Sequence, residues 1–131
     1  MRQIFSFLMV ALLCVCTACA DDFTTTDVSS LPVKAQQYLK HFDSPVAYIE
    51  VDNEGVFGKT YEVRLKDGSE IDFDKKGEWK NVDTNLKPVP AAFVPKSIAD
   101  YVKKNYPEAF VSKIDRESRG YDVELSNHMD L

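Results

Sequence analysis

Apolar residues recur at helical spacing in two parts of the chain, and this spacing is typical of amphipathic helices. The first stripe predicts a helix that begins near Pro32 and ends before Asp43, with the apolar members Leu31, Ala35, Tyr38, Leu39 and Phe42. The second predicts a helix that begins near Pro95 and ends before Pro107, with the apolar members Val94, Ile98, Tyr101 and Val102. Proline suits both positions because an N–H in the first helical turn has no partner within the helix.

Alternation of apolar and polar residues predicts strands after each helix. The first helix is followed by alternating runs at 46–52, 59–65 and 69–74, and by a last strand through Trp79 and Val82. Asp67-Gly68 separates two of these runs and is a strong hairpin signal. Two more runs, 109–115 and 120–125, follow the second helix. Helices next to runs of antiparallel strands predict an α+β fold.

The order of elements occurs twice. The Leu31-Pro32 helix start reappears 63 positions later as Val94-Pro95, and Tyr61–Leu65 reappears 60 positions later as Tyr121–Leu125. We therefore predict tandem helix-plus-antiparallel-sheet repeats over residues 31–87 and 88–131. Residues 129–131 align with 69–71, so the second repeat is expected to lack its last strand. A shortened edge strand has unpaired backbone groups, which predicts a homodimer through this C-terminal edge.

The N-terminal residues have the pattern of an export signal. Arg2 precedes an apolar run from Ile4 to Val15, which at about a dozen residues is too short to span a bilayer. We predict a signal peptide over residues 1–20 and a disordered tether over 21–30. Ala18-Cys19-Ala20 fits ordinary cleavage, which predicts a periplasmic or secreted protein without a transmembrane span. Lipidation of Cys19, giving an envelope lipoprotein, is the alternative.

Composition excludes several classes of function. Every cysteine lies in the predicted leader, and only His41 and His128 supply imidazoles, so we expect neither an enzyme nor a cofactor. The whole chain has a formal charge of −5, which disfavours nucleic-acid binding. Asp72–Gly77 begins like a calcium loop but has Lys76 where an oxygen ligand is required, so no metal site is predicted.

The outward sheet face is the candidate site. By strand parity this face is expected to present Glu62, Arg64, Glu70, Asp72, Asp122 and Glu124. An acidic face of this kind can dock a basic partner. Trp79 could anchor that surface or lie in the core, because tryptophan is frequent in both places.

The sequence as a whole resembles a known family. The paired Leu/Val-Pro helix starts, the motif YEVRLKDGSEIDFDKKGEW at 61–79 and the motif YDVELSN at 121–127 resemble the PepSY-like, β-lactamase-inhibitor-like family of exported bacterial proteins. The resemblance implies helices packed on one face of an antiparallel sheet. It also implies a non-enzymatic binding module, an inhibitor or regulator of an envelope hydrolase.

Two features depart from the expected pattern. Asn127-His128 replaces an Asn-Gly turn, so that turn is expected to be distorted, and the last strand is missing. The alternatives to an inhibitor are a structural or small-cationic-ligand-holding envelope protein and a truncated, poorly functional copy.

Overall fold

The computed structural model describes residues 22–131, and these residues form an α+β fold. Its helices are α1 (Val33–Leu39) and α2 (Lys96–Asn105). Its strands are β1 (Phe23–Thr25), β2 (Val46–Asn53), β3 (Lys59–Leu65), β4 (Glu70–Phe73), β5 (Trp79–Asp83), β6 (Val111–Glu117) and β7 (Gly120–Leu125). Short 3₁₀ turns occur at Val28–Ser30, Gly55–Phe57 and Ala91–Phe93.

All seven strands belong to one antiparallel sheet with the spatial order β1 to β7. Each strand therefore pairs with its neighbour in sequence, including β5 with β6 across the segment that contains α2. The two predicted repeat regions consequently share one continuous sheet. Among the described residues, no helix is long and apolar enough to cross a membrane.

Three bulges set which side chains face the core. The ladders skip Ala47 in β2, Lys80 in β5 and Ser112 in β6. A bulge adds one residue to one strand and thereby resets its parity. Trp79 and Val82 are three residues apart and would face opposite sides of a regular strand, yet the bulge at Lys80 places both in the core.

The core lies between the helices and one face of the sheet. Phe93, from the 3₁₀ turn before α2, is 1% exposed and is the aromatic centre of this layer. Its ring lies 5.6 Å from Tyr38 of α1, 5.4 Å from Phe42 and 5.5 Å from Trp79 of β5. The helices therefore pack on one face of the sheet, as the family resemblance implies.

Charged groups fasten α1 to the sheet at one end. Glu78, in the turn between β4 and β5, pairs with Lys34 and accepts a hydrogen bond of 3.2 Å from the Tyr38 hydroxyl. Arg116 of β6 donates to the same carboxylate at 3.2 Å. One carboxylate thus links a helix, a turn and a strand.

The N-terminal prediction is wrong for the residues that the structure describes. Residues 22–30 are not a disordered tether, because β1 pairs with β2 from Phe23↔Val51 to Thr25↔Ile49. Asp27 then caps the following 3₁₀ turn by accepting a hydrogen bond from Ser29 N. A Thr-rich segment without clear periodicity becomes ordered here because an existing strand supplies its backbone partners. The predicted signal peptide and Cys19 lie outside the described residues.

The turn after β7 is also more regular than expected. His128 adopts φ +68°, and Leu125 N donates to Met129 O at 2.8 Å while His128 N donates to Leu125 O at 2.9 Å. The Gly68 turn has the same pair of hydrogen bonds, at 2.8 and 3.0 Å. The prediction of a distorted turn is therefore wrong: the turn geometry forms, and His128 adopts the left-handed conformation that glycine favours.

Candidate functional site

A row of acidic side chains crosses the open face of the sheet. The strand register places six residues directly opposite one another from β2 to β7, namely Glu50, Glu62, Asp72, Asn81, Asp115 and Asp122. We call these six residues the acidic row. Directly opposed Cβ atoms in a sheet are about 4.5–5.5 Å apart. The row therefore concentrates five carboxylates in a line that contains no cation.

The neighbouring row mixes two cations with three carboxylates and has a net formal charge of −1. It runs through Tyr48, Arg64, Glu70, Asp83, Lys113 and Glu124. Arg64 Nη2 lies 2.5 Å from Glu70 Oε1 and 4.0 Å from Glu62 Oε1. On the part of this face that the structure describes, Arg64 is thus held mainly by Glu70 and approaches the acidic row at Glu62.

The proximity of like charges changes the titration of the row. Burial, together with the charges of Glu70 and Glu62, raises the pKa of Asp72 to about 7. Burial and the charges of Glu70 and Glu50 raise the pKa of Glu62 above its usual value. Burial also raises the pKa of Asp115; the nearby Lys113 acts to lower that pKa, and the charges of Asp122 and Asp83 act to raise it. Holding these groups ionised costs free energy, because like charges opposite each other destabilise a sheet.

Oxygen atoms at the middle of the row are incompletely satisfied. Asp72 Oδ1 and Asn81 Oδ1 are buried and have no hydrogen-bond partner. Carboxylate oxygens from Glu62, Glu70 and Asp72 lie within 4.8 Å of one another, as do those of Asp115, Glu117 and Asp122. Buried oxygens without donors are costly in a free protein, and clustered oxygens are the ligands that hard cations prefer.

Most of the predicted site residues lie together. Glu62, Arg64, Glu70, Asp72, Asp122 and Glu124 all occupy the open face, in the acidic row or beside it. Trp79 does not, because it is 2% exposed on the opposite, core-facing side. The Arg116 guanidinium carbon lies over the Trp79 ring, 4.2 Å from the ring centroid. Trp79 is therefore a core residue, and its prediction as a surface anchor is wrong.

Glu50, Asn81 and Asp115 complete the row and were not predicted. Alternation with Ile49 and Val51 already indicates that Glu50 points outward, so the sequence contained a usable signal for it. Asn81 could not be assigned by parity because the Lys80 bulge resets β5. Asp115 joins the row only through the pairing of β5 with β6, which is a tertiary contact.

The other chemical candidates make local contacts. Asp74 Oδ1 accepts hydrogen bonds from Lys76 N and Glu78 N, so the segment that begins like a calcium loop is a hairpin turn. His41 packs edge-on against Phe93 at 5.8 Å. His128 Nδ1 lies 3.6 Å from Glu124 Oε1 at the end of β7.

Comparisons with known proteins agree with this fold. No curated protein matches the chain significantly. A protein from Bacteroides vulgatus, described as a "putative periplasmic protein of unknown function", is 40% identical over 83% of this chain and 88% of its own, with a TM-score of 0.75. A protein from Bacteroides thetaiotaomicron, described as a "putative calcium-regulated periplasmic protein", is 40% identical over 84% of this chain and 87% of its own, with a TM-score of 0.76.

A second B. vulgatus protein, described as a "putative periplasmic protein" from the DUF2874 family, is 39% identical over 86% of this chain and 88% of its own, with a TM-score of 0.76. The family model described as "Putative beta-lactamase-inhibitor-like, PepSY-like" matches residues 59–131. This match spans more than half of the chain and includes β3 to β7, which supply four of the five carboxylates of the acidic row. The chain belongs to the PepSY-like, β-lactamase-inhibitor-like family.

Proposed function

We propose that this protein is a non-enzymatic periplasmic binding module that docks a basic surface of an envelope protein on its acidic row. The observation that carries the proposal is the line of five carboxylates without an intervening cation. Such a line destabilises the free sheet. A cationic partner would neutralise the row, so binding would recover the free energy that folding loses.

The partner we infer is a hydrolase of the envelope, which the module inhibits or regulates. Membership in an inhibitor-like family supports this choice, and the relatives described as periplasmic support the compartment. Complementary charge would mainly speed association and select the partner.

Similar features in residues 31–87 and 88–131 support a binding surface built from two related halves. A 3₁₀ turn and an apolar-proline pair precede both helices, and the Gly68 and His128 turns share their hydrogen bonds. We infer that residues 31–87 and 88–131 are tandem repeats. Each half contributes carboxylates to the acidic row.

The test is affinity capture from envelope extract with immobilised residues 21–131. The row variant carries Glu62→Gln, Asp72→Asn and Asp122→Asn. A matched control removes the same charge from exposed sites off the open face, with Asp43→Asn, Asp100→Asn and Glu108→Gln. We expect a protein that binds the parent and the control, fails to bind the row variant and elutes with salt. Equal capture by all three proteins would contradict the proposal.

Calcium binding at the acidic row is a second candidate function. It is favoured by the unpartnered oxygens of Asp72 and Asn81 and by the clustered oxygens of Glu62, Glu70 and Asp72. A relative from B. thetaiotaomicron is described as calcium-regulated. These residues fit Ca²⁺, which takes six to eight oxygen ligands, with water completing the shell.

Thermal unfolding with calcium separates this candidate from protein docking. At a concentration on the order of 1 mM, which suits extracellular calcium modules, CaCl₂ should raise Tm more than MgCl₂ or NaCl of equal ionic strength. Asp72→Asn should abolish the difference, whereas Asp43→Asn should retain it. Equal Tm shifts with all three salts would show that the ions only screen the charges of the acidic row, and they would rule out a calcium site.

A further inference from the structure

Two large apolar side chains project into solvent from the loop between β2 and β3. Val56 is 93% exposed and Phe57 is 73% exposed. We call these two residues the apolar tip. Exposed apolar residues are common singly on protein surfaces, but an adjacent pair at a loop end presents a continuous apolar surface to a partner.

The loop holds the tip in a defined position. Glu54 N donates to Gly58 O at 2.8 Å, Phe57 N to Glu54 O at 3.2 Å and Gly58 N to Gly55 O at 3.1 Å. Gly58 has φ +90°, and a Cβ there would lie 2.9 Å from Lys75 Cδ. The loop is therefore ordered with the tip exposed, and a preordered group loses less entropy on binding.

The acidic face continues to the tip. Asp52 follows Glu50 on the open face of β2, and Glu54 lies in the loop itself. Asp22 also lies here, since its Oδ1 accepts a hydrogen bond of 2.7 Å from Asn53 N. The cations at this end are Lys75, packed on Gly58, and Lys59, which lies 5.9 Å from the Phe23 ring.

This charge distribution selects the kind of occupant. Three carboxylates accompany two ammonium groups here. Together with the adjacent acidic row, their net negative charge disfavours an anionic lipid surface and the acidic face of a second copy. The same charge attracts a basic protein surface. Aromatic residues, phenylalanine among them, are enriched at protein interfaces, and a few residues that fill pockets supply most of the binding energy.

We propose that the apolar tip inserts into an apolar pocket with a basic rim, on the same partner protein that the acidic row docks. This inference rests on the proposed function and names the anchor of that interface. The acidic row then sets the association rate and the selectivity for the partner, while Val56 and Phe57 set the dissociation rate of the complex.

The experiment begins with site-specific photo-crosslinking in the native envelope fraction. Phe57 is replaced by p-benzoyl-L-phenylalanine, and Val33, which is 69% exposed on α1, carries the same probe as a control. We expect one protein to crosslink from position 57 and not from position 33. Crosslinks from position 57 to lipid or to a second copy would overturn the choice of partner.

The crosslinked protein is then purified and its affinity measured for the parent, Val56→Ser/Phe57→Ser, the row variant and Val33→Ser. We expect the tip variant to bind at least roughly 30-fold more weakly, mainly through faster dissociation. Val33→Ser should bind like the parent, and Tm should show that the tip variant remains folded.

The outcomes separate the two proposals. If the tip variant binds as tightly as the parent while the row variant binds weakly, the tip inference fails and the proposed function stands. If the tip variant loses affinity and the row variant does not, the anchor is confirmed and the acidic docking face is wrong. If no protein crosslinks to the tip and none is captured by the parent, both proposals fail.

Discussion

Replacing Asp72 by Asn should stabilise the free protein at about pH 8 and change little at about pH 4. Burial and the charges of Glu70 and Glu62 raise the pKa of Asp72 from 3.8 to about 7. A carboxyl group whose pKa is raised by folding favours the folded state while it is protonated, and this contribution to stability is complete below its unfolded-state pKa. That stabilisation is lost as the pH rises through the folded-state pKa. The ionised Asp72 is therefore costly at about pH 8, and the neutral amide removes the cost.

The size of the effect follows from the same pKa. One pKa unit corresponds to about 1.4 kcal/mol, so complete burial would give about 4 kcal/mol. Asp72 is only partly buried, and solvent screens its interactions, so we expect about 1–2 kcal/mol at about pH 8. With a urea m-value of about 2 kcal/mol/M, the unfolding midpoint should rise by about 0.5–1 M.

The assay is equilibrium urea unfolding, followed through the fluorescence of Trp79, which is the sole tryptophan and is buried. The parent and Asp72→Asn are compared between about pH 4 and pH 8, with Asp43→Asn as an exposed control outside the sheet. An Asp72→Asn midpoint at or below that of the parent at about pH 8 would refute the argument that the acidic row costs stability.

Three further predictions concern individual side chains. Lys34 lowers the pKa of Glu78, so ionised Glu78 stabilises the fold and this contribution is lost as the pH falls. Glu78→Gln removes the contribution, so as the pH falls from about 6 to 3 the Tm of the variant should decrease less steeply than that of the parent. His128→Gly should raise stability by about 0.5–1 kcal/mol by relieving a positive φ, whereas Gly68→Ala should lower it; equal unfolding midpoints would contradict both. Trp79→Ala should cost about 3–5 kcal/mol in thermal unfolding, and a loss below about 1 kcal/mol would contradict its place in the core.

Local pattern was sufficient for most of the elements. Alternation from Tyr61 to Leu65 and from Glu70 to Phe73 predicted β3 and β4, because the pleat gives successive side chains opposite directions. Asp67-Gly68 predicted their turn, which fixes the pairing of Glu62 with Asp72. This part of the candidate site could therefore be predicted from the sequence.

Pattern failed where a residue's environment depends on distant parts of the chain. Residues 22–30 look polar and aperiodic, yet β2 provides the edge on which β1 forms. The sequence left open whether Trp79 anchors a surface or lies in the core, and the fold decides for the core because Phe93, from a proline-rich connection, packs 5.5 Å from its ring. The local hydrophobicity of these segments predicts neither the pairing of β1 nor the burial of Trp79.

The sequence by itself thus determined the α+β class, the order of the helices and of β2 to β7, and the acidic character of the open face, because these follow from local periodicity and charge. Tertiary structure decided the alignment of the acidic row. Pairing of β5 with β6 places Asn81 opposite Asp115, and the Lys80 bulge turns Asn81 outward. Register and bulges relate residues on different strands, so they are fixed only when the strands pack over a common core.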